Sequence, residues 1–175
     1  MRWLRKLGLG RPPQAKRPRL ADRVRGRVHG LTEERCELVT AFAGLLVRVA
    51  YADDDVSEAE RAVVRDVIAA RGLSPEESTA VTDLVVEQAS GLAGIDYAAL
   101  TRVFNELGTQ ADKERLIECL YAIATADDTV SVVEDEEIRK VSQALLLGHG
   151  TFISIRSRYK EQLEVIQVLR QQRER

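Results

Sequence analysis

The sequence predicts an all-α fold, about seven helices in a compact bundle with an internal pseudo-repeat. Three observations lead there. Ala, Leu, Val, Glu and Arg dominate a 175-residue chain that holds only 4 prolines and 5% aromatics, a balance that favours helices packed through small aliphatic residues over a sheet. Apolar residues recur at three- and four-residue steps between well-marked caps. Residues 46–73 also align without a gap on residues 120–147, with identity at 12 of 28 positions, where ordinary residue usage gives about two.

The elements follow in order. Residues 1–30 carry ten Lys/Arg against one acid, Asp22, and are broken by Gly8, Gly10, Pro12, Pro13, Pro18 and Gly26. They read as a flexible basic arm with room for short helical pieces. Residues 31–175 read as the helical domain. Thr32 followed by Glu33 and Glu34 caps a helix in which Leu38, Phe42, Leu45 and Val49 share a face to about Ala52. Ser57 with Glu60 is a capping box. It opens a helix with Val63, Val64, Val67 and Ile68 inward that stops near Gly72. Ser74-Pro75-Glu76-Glu77 starts the next, with Val81, Leu84, Val85 and Gln88 at helical spacing before Gly91 and Gly94. Asp96 caps a short helix through Leu100, Val103, Phe104 and Leu107, ended by Gly108. Thr109 with Asp112 precedes Leu116, Leu120 and Ile123, and Ser131 with Glu134 precedes Ile138, Val141 and Leu145, up to Gly148. A final helix presents Phe152, Ile155, Tyr159, Leu163 and Ile166 on one side; that stripe completes the core or forms a weak dimer seam.

Charge and motif content narrow the function. The net charge of −2 conceals a body that carries 16 basic and 27 acidic residues after position 30. The longest apolar run, Val39 to Val47, is too short to span a bilayer, and the N-terminus lacks a secretory signal. Cys36 and Cys119 fall inside expected helices and read as small buried hydrophobes of a reducing, cytoplasmic compartment. His29 and His149 have no zinc-spaced companions. Phosphate-loop, dinucleotide and nucleophile-elbow motifs are absent, and the serines Ser57, Ser74 and Ser131 are caps rather than nucleophiles. The expectation is a protein that is not an enzyme.

The repeat contains an acidic phrase given twice: Ala52-Asp53-Asp54-Asp55-Val56-Ser57-Glu58-Ala59-Glu60 and Ala126-Asp127-Asp128-Thr129-Val130-Ser131-Val132-Val133-Glu134. Hard cations such as Ca²⁺ or Mg²⁺ need several carboxylate oxygens converging from short segments. Asp53, Asp54, Asp55 and Glu60 in the first turn, with Asp127, Asp128 and Glu134 in the second, are the candidate metal ligands. Glu58, and Asp135, Glu136 and Glu137 on the following helix, stand close by. Neither turn is an EF-hand, because the positions that need glycine and a bidentate Glu hold Glu58 and Val64, or Val132 and Ile138. The competing reading is capping plus a solvated acidic face. Two unit charges about 4 Å apart repel by roughly 4 kcal/mol at an effective dielectric of ~20, so carboxylates drawn together require a cation or raised pKa values.

The phrase Ala-Asp-(Asp)-x-Val-Ser-x-x-Glu, repeated after helices ending in Ala-x-Ala, resembles the tellurite-resistance TerB-like family over roughly residues 33–165. It is also similar to the N-terminal domain of DjlA-type co-chaperones, although no His-Pro-Asp signature occurs. The family's turn has glycine where this chain has Asp54 and Asp128, and Asp tolerates the left-handed backbone that glycine would serve. The resemblance implies a non-enzymatic stress-response module with an acidic surface that binds divalent metal weakly or meets an unknown protein partner. The alternative is a metal-independent interaction or membrane-proximal scaffold. In that reading Arg2, Trp3, Arg5 and Lys6 hold the basic arm to an anionic membrane at the inner face. Nucleic acid ranks below the membrane as a partner, because the body is acidic and the arm has a single aromatic.

Overall fold

The computed structural model describes residues 19–51, 56–90, 96–126 and 129–164. They form eight helices: α1 (Leu20–Arg25), α2 (Glu33–Ala50), α3 (Glu58–Ala69), α4 (Pro75–Ser90), α5 (Tyr97–Leu107), α6 (Gln110–Ala124), α7 (Val132–Ala144) and α8 (His149–Ser157). Among the described residues there is no named strand. A single parallel bridge joins Val130 to Leu163, with the Val130 N–H donating to the Gln162 carbonyl at 2.9 Å and the Glu164 N–H to the Val130 carbonyl at 3.0 Å.

α2 is the axle. Every residue from Val39 to Val47 is buried, because α1, α3, α4, α5, α6 and α7 all pack around it. The small side chains of Ala41, Ala43 and Gly44 let neighbouring backbones approach from several sides, so the single apolar face expected for this helix is instead a full girdle. Phe42 reaches α5, where its ring lies 6.0 Å from that of Phe104.

Helix starts match their sequence signals. Ser57, Thr109 and Ser131 form reciprocal capping boxes with Glu60, Asp112 and Glu134. Ser74 and Glu77 exchange the same two bonds, at 3.0 and 3.2 Å. Thr32 and Asp96 accept from Arg35 and Ala99.

Three further expectations are corrected. The body begins before residue 31, since α1 packs on α2 and α4 and buries Val24 and Val28. Arg23 reaches Gln88 and Glu87, so part of the basic segment is anchored by ordinary amphipathic packing. The last helix stops at Ser157 rather than continuing towards Ile166. Tighter bonds follow, from the Arg158 N–H to the Ile155 carbonyl and from the Tyr159 N–H to the Arg156 carbonyl, both 3.1 Å. The turn lets Tyr159 stack on Tyr121, centroids 4.9 Å apart, and brings Leu163 to Val130; Ile166 lies outside the described residues. Finally, Gly148 does not end α7. The left-handed position is Leu146, φ 58°, and Gly148 instead N-caps α8.

Candidate functional site: the two acidic turns and their flanks

α3 runs antiparallel to α6. Arg71, just past the end of α3, pairs with Asp112 in the first turn of α6 at 3.2 Å. A groove then follows both helices, from Ala70 and Val67 to Val63 on one wall and from Arg115 to Cys119 on the other. The start of α3 therefore lies beside the end of α6. Arg48, in the last turn of α2, reaches Glu137 of α7 at 3.0 Å, which draws the second helix pair to the same place. The described flanks of the two acidic turns, Tyr51 and Val56 on one and Ala126 and Thr129 on the other, thus sit at one end of the bundle. Val56 and Val130 are buried there, so the apolar residue of each repeat pins its turn to the core.

The candidate ligands divide into two groups. Asp53, Asp54, Asp55, Asp127 and Asp128 lie outside the described residues, as do Arg2, Trp3, Arg5 and Lys6 of the arm. Glu60 and Glu134 are described and occupy matching places. Each accepts from the backbone N–H of its own capping serine, Ser57 or Ser131, at 2.8 Å. Glu60 is also buried. Among the described residues no three carboxylate, imidazole or thiol groups converge to hold a metal ion.

The acids that follow the second turn are held by cations of the chain. Asp135 accepts from Arg156, Nε to Oδ1 at 2.9 Å and to Oδ2 at 3.2 Å and Nη2 to Oδ2 at 2.6 Å, and from the Tyr121 hydroxyl at 2.8 Å. Burial pushes the Tyr121 phenol well above its ordinary range, and the hydrogen bond and charge of Asp135 push it further. Glu136 bonds Arg139 on its own helix. Glu137 accepts from Arg48 Nε at 3.0 Å and from Lys140 at 2.6 Å. Burial alone would raise the Glu137 carboxyl, but the bonds from Lys140 and Arg48 and their charges hold it below the usual carboxylate range. The charge of α7 is thus largely balanced before any ligand arrives. Arg48 and Glu137 are 89 residues apart, so no local spacing rule could have paired them. The Tyr121–Asp135–Arg156 cluster was equally invisible, since a tyrosine at an inward helical position reads simply as core.

The family model for tellurite resistance protein TerB matches residues 20–157. The chain belongs to the TerB family. No curated protein and no solved structure matches it. The TerB match runs from the first residue of α1 to the last of α8, so the family's domain includes the short N-terminal helix that the expected start near residue 33 left out. It also spans both acidic turns. Of the described residues, no helix is long and apolar enough to cross a membrane.

Proposed function

We propose that this TerB domain is a non-enzymatic stress-response module whose two acidic turns together bind a divalent cation, Ca²⁺ or Mg²⁺, weakly. The observation that carries the reading is that the flanks of both turns sit at one end of the bundle. An oxygen-liganded cation requires several carboxylates supplied by short segments, and the sequence of each turn supplies them. Asp53 and Asp127 are the principal ligands in this reading, with Asp54, Asp55 and Asp128 accessory. Glu60 and Glu134 support the turns through their capping bonds. Isothermal titration of the wild type and of an Asp53→Asn/Asp127→Asn variant with each cation tests it. The expected result is heat and a raised melting temperature in the wild type and at least a roughly tenfold weaker response in the variant. Equal responses, or none in the wild type, overturn it.

A second reading makes the same end of the molecule a docking surface for a protein partner, with no metal. Val132 and Val133, 59% and 51% exposed beside the second turn, favour it, because an apolar pair next to fixed charge suits protein recognition. In a membrane-proximal version the basic arm, through Arg2, Trp3, Arg5 and Lys6, holds the domain at an anionic bilayer. Liposome pelleting of the wild type against a variant with Arg2, Arg5 and Lys6 replaced by Glu tests that version; unchanged pelleting removes it.

A further inference from the structure

The groove between α3 and α6, about 530 Å³ in volume, reaches its charged end at Arg71 and Asp112, away from the acidic turns. Three guanidiniums line it, Arg35 from α2, Arg71 from the end of α3 and Arg115 from α6. Their compensation is thin. Arg71 Nη1 donates to Asp112 at 3.2 Å, but that carboxylate also accepts from the Thr109 N–H at 3.0 Å and the Thr109 hydroxyl at 2.7 Å. The other Arg71 amino group, Nη2, is buried with no hydrogen-bond partner among the described residues. Arg35 Nη2 donates to the Arg71 carbonyl at 3.0 Å, not to a carboxylate. Arg115 reaches Glu118 only at 3.7 Å, and Glu118 already takes Arg158 at 2.7 Å. Asp66 also lines the groove but is exposed. Positive charge is thus gathered on a body that is strongly acidic overall.

Both walls also carry apolar residues. Val63 and Val67 come from α3 and Cys119 from α6, and the thiol, its pKa pushed up by burial, feels both Arg115 and Arg71. The Arg71 guanidinium itself is fixed, 3.9 Å above the Phe42 ring, so it is preorganised rather than free to follow a ligand. A fixed cation with two others beside it and a stretch of apolar lining match an oxyanion carried on a hydrocarbon stem.

We propose that this groove binds a small amphiphilic anion, its phosphate or carboxylate head taken by Arg35 and Arg115 beside Arg71 and its short apolar stem laid on Val63, Val67 and Cys119. The site is independent of the acidic turns, and its failure would leave the cation reading untouched.

Titration of the full-length protein with hexyl phosphate, hexanoate, inorganic phosphate and hexanol tests it, read by calorimetry and by methyl shifts of Val63 and Val67. The wild type should bind hexyl phosphate or hexanoate at least about tenfold more tightly than either inorganic phosphate or hexanol. Which of the two anions binds better identifies the head group. An Arg35→Gln/Arg115→Gln variant should lose at least about tenfold, while Arg102→Gln on α5 should not change. If the double variant does not fold, Arg115→Gln alone carries the comparison, since that side chain is 65% exposed. No binding by any probe, equal binding by hexanol or inorganic phosphate, or equal loss in Arg102→Gln would each overturn the proposal.

Discussion

Gly72 and Leu146 occupy the same position of the repeat, 74 residues apart in the sequence, and both have left-handed backbone, φ 92° and 58°. Each follows the last turn of its helix, α3 or α7. Around Leu146 the bonds are those of a helix-terminating motif: its N–H donates to the Gln143 carbonyl and that of Leu147 to the Ser142 carbonyl, both at 3.0 Å. The first copy fills this position with the residue suited to it, and the second with a leucine that is 78% exposed.

Leu146→Gly should therefore stabilise the protein by about 1 kcal/mol, since left-handed backbone costs a non-glycine residue roughly 1–2 kcal/mol and the added chain entropy of glycine returns part of it. Gly72→Ala should destabilise by a similar amount through backbone strain alone, because nothing lies within 4 Å of an added Cβ. Urea unfolding of the two variants checks both signs.

Gly108 is constrained by space rather than by backbone. A Cβ there would lie 2.6 Å from the Phe104 carbonyl oxygen and 3.0 Å from its ring, and Phe104 is fully buried. Gly108→Ala should cost about 2 kcal/mol. Gly150→Ala, with open space around it, should be near neutral in the same melts.

The cluster at Asp135 should behave as a unit. Asp135→Ala strands the Arg156 guanidinium and the Tyr121 hydroxyl and should cost about 2 kcal/mol, whereas Tyr121→Phe should cost about 1 kcal/mol. Spectrophotometric titration adds a check independent of stability. Because the folded Tyr121 phenol is raised, it should ionise after the other tyrosines. The stability it contributes is complete below the ordinary tyrosine pKa and lost as alkali rises through the raised one.

Acid should act through carboxylates held low in the fold. For Asp112, burial opposes the shift, while hydrogen bonds from Thr109 and Arg71 prevail and lower its pKa; Glu137 is lowered against burial in the same way. A depressed folded pKa means stability that is complete above the unfolded value, near 3.8 for Asp and 4.5 for Glu, and that is lost as pH falls through the folded one. Melting temperature should fall below about pH 4. Glu137→Gln should flatten that fall and lower stability at neutral pH; an unchanged acid slope would show that the bonds from Lys140 and Arg48 are not its source.

By itself the amino-acid sequence determined the helical class, the starts of α2 to α7 and the duplicated acidic phrase. Caps such as Ser57 with Glu60 and Thr109 with Asp112 are local, set by side chains three residues apart reaching the nearest backbone N–H groups. Tertiary structure decided whatever depended on distant partners. It made α2 a buried axle, folded Leu20–Arg25 onto the body, turned the chain at Ser157 so that Tyr159 could meet Tyr121, and joined Arg48 to Glu137. It also put the left-handed turn at Leu146, ahead of the glycine that local preference favoured, because closing α7 there lets Leu145 and Leu147 both reach the core. Backbone preference is worth about a kilocalorie per residue, and burying two leucines outweighs it.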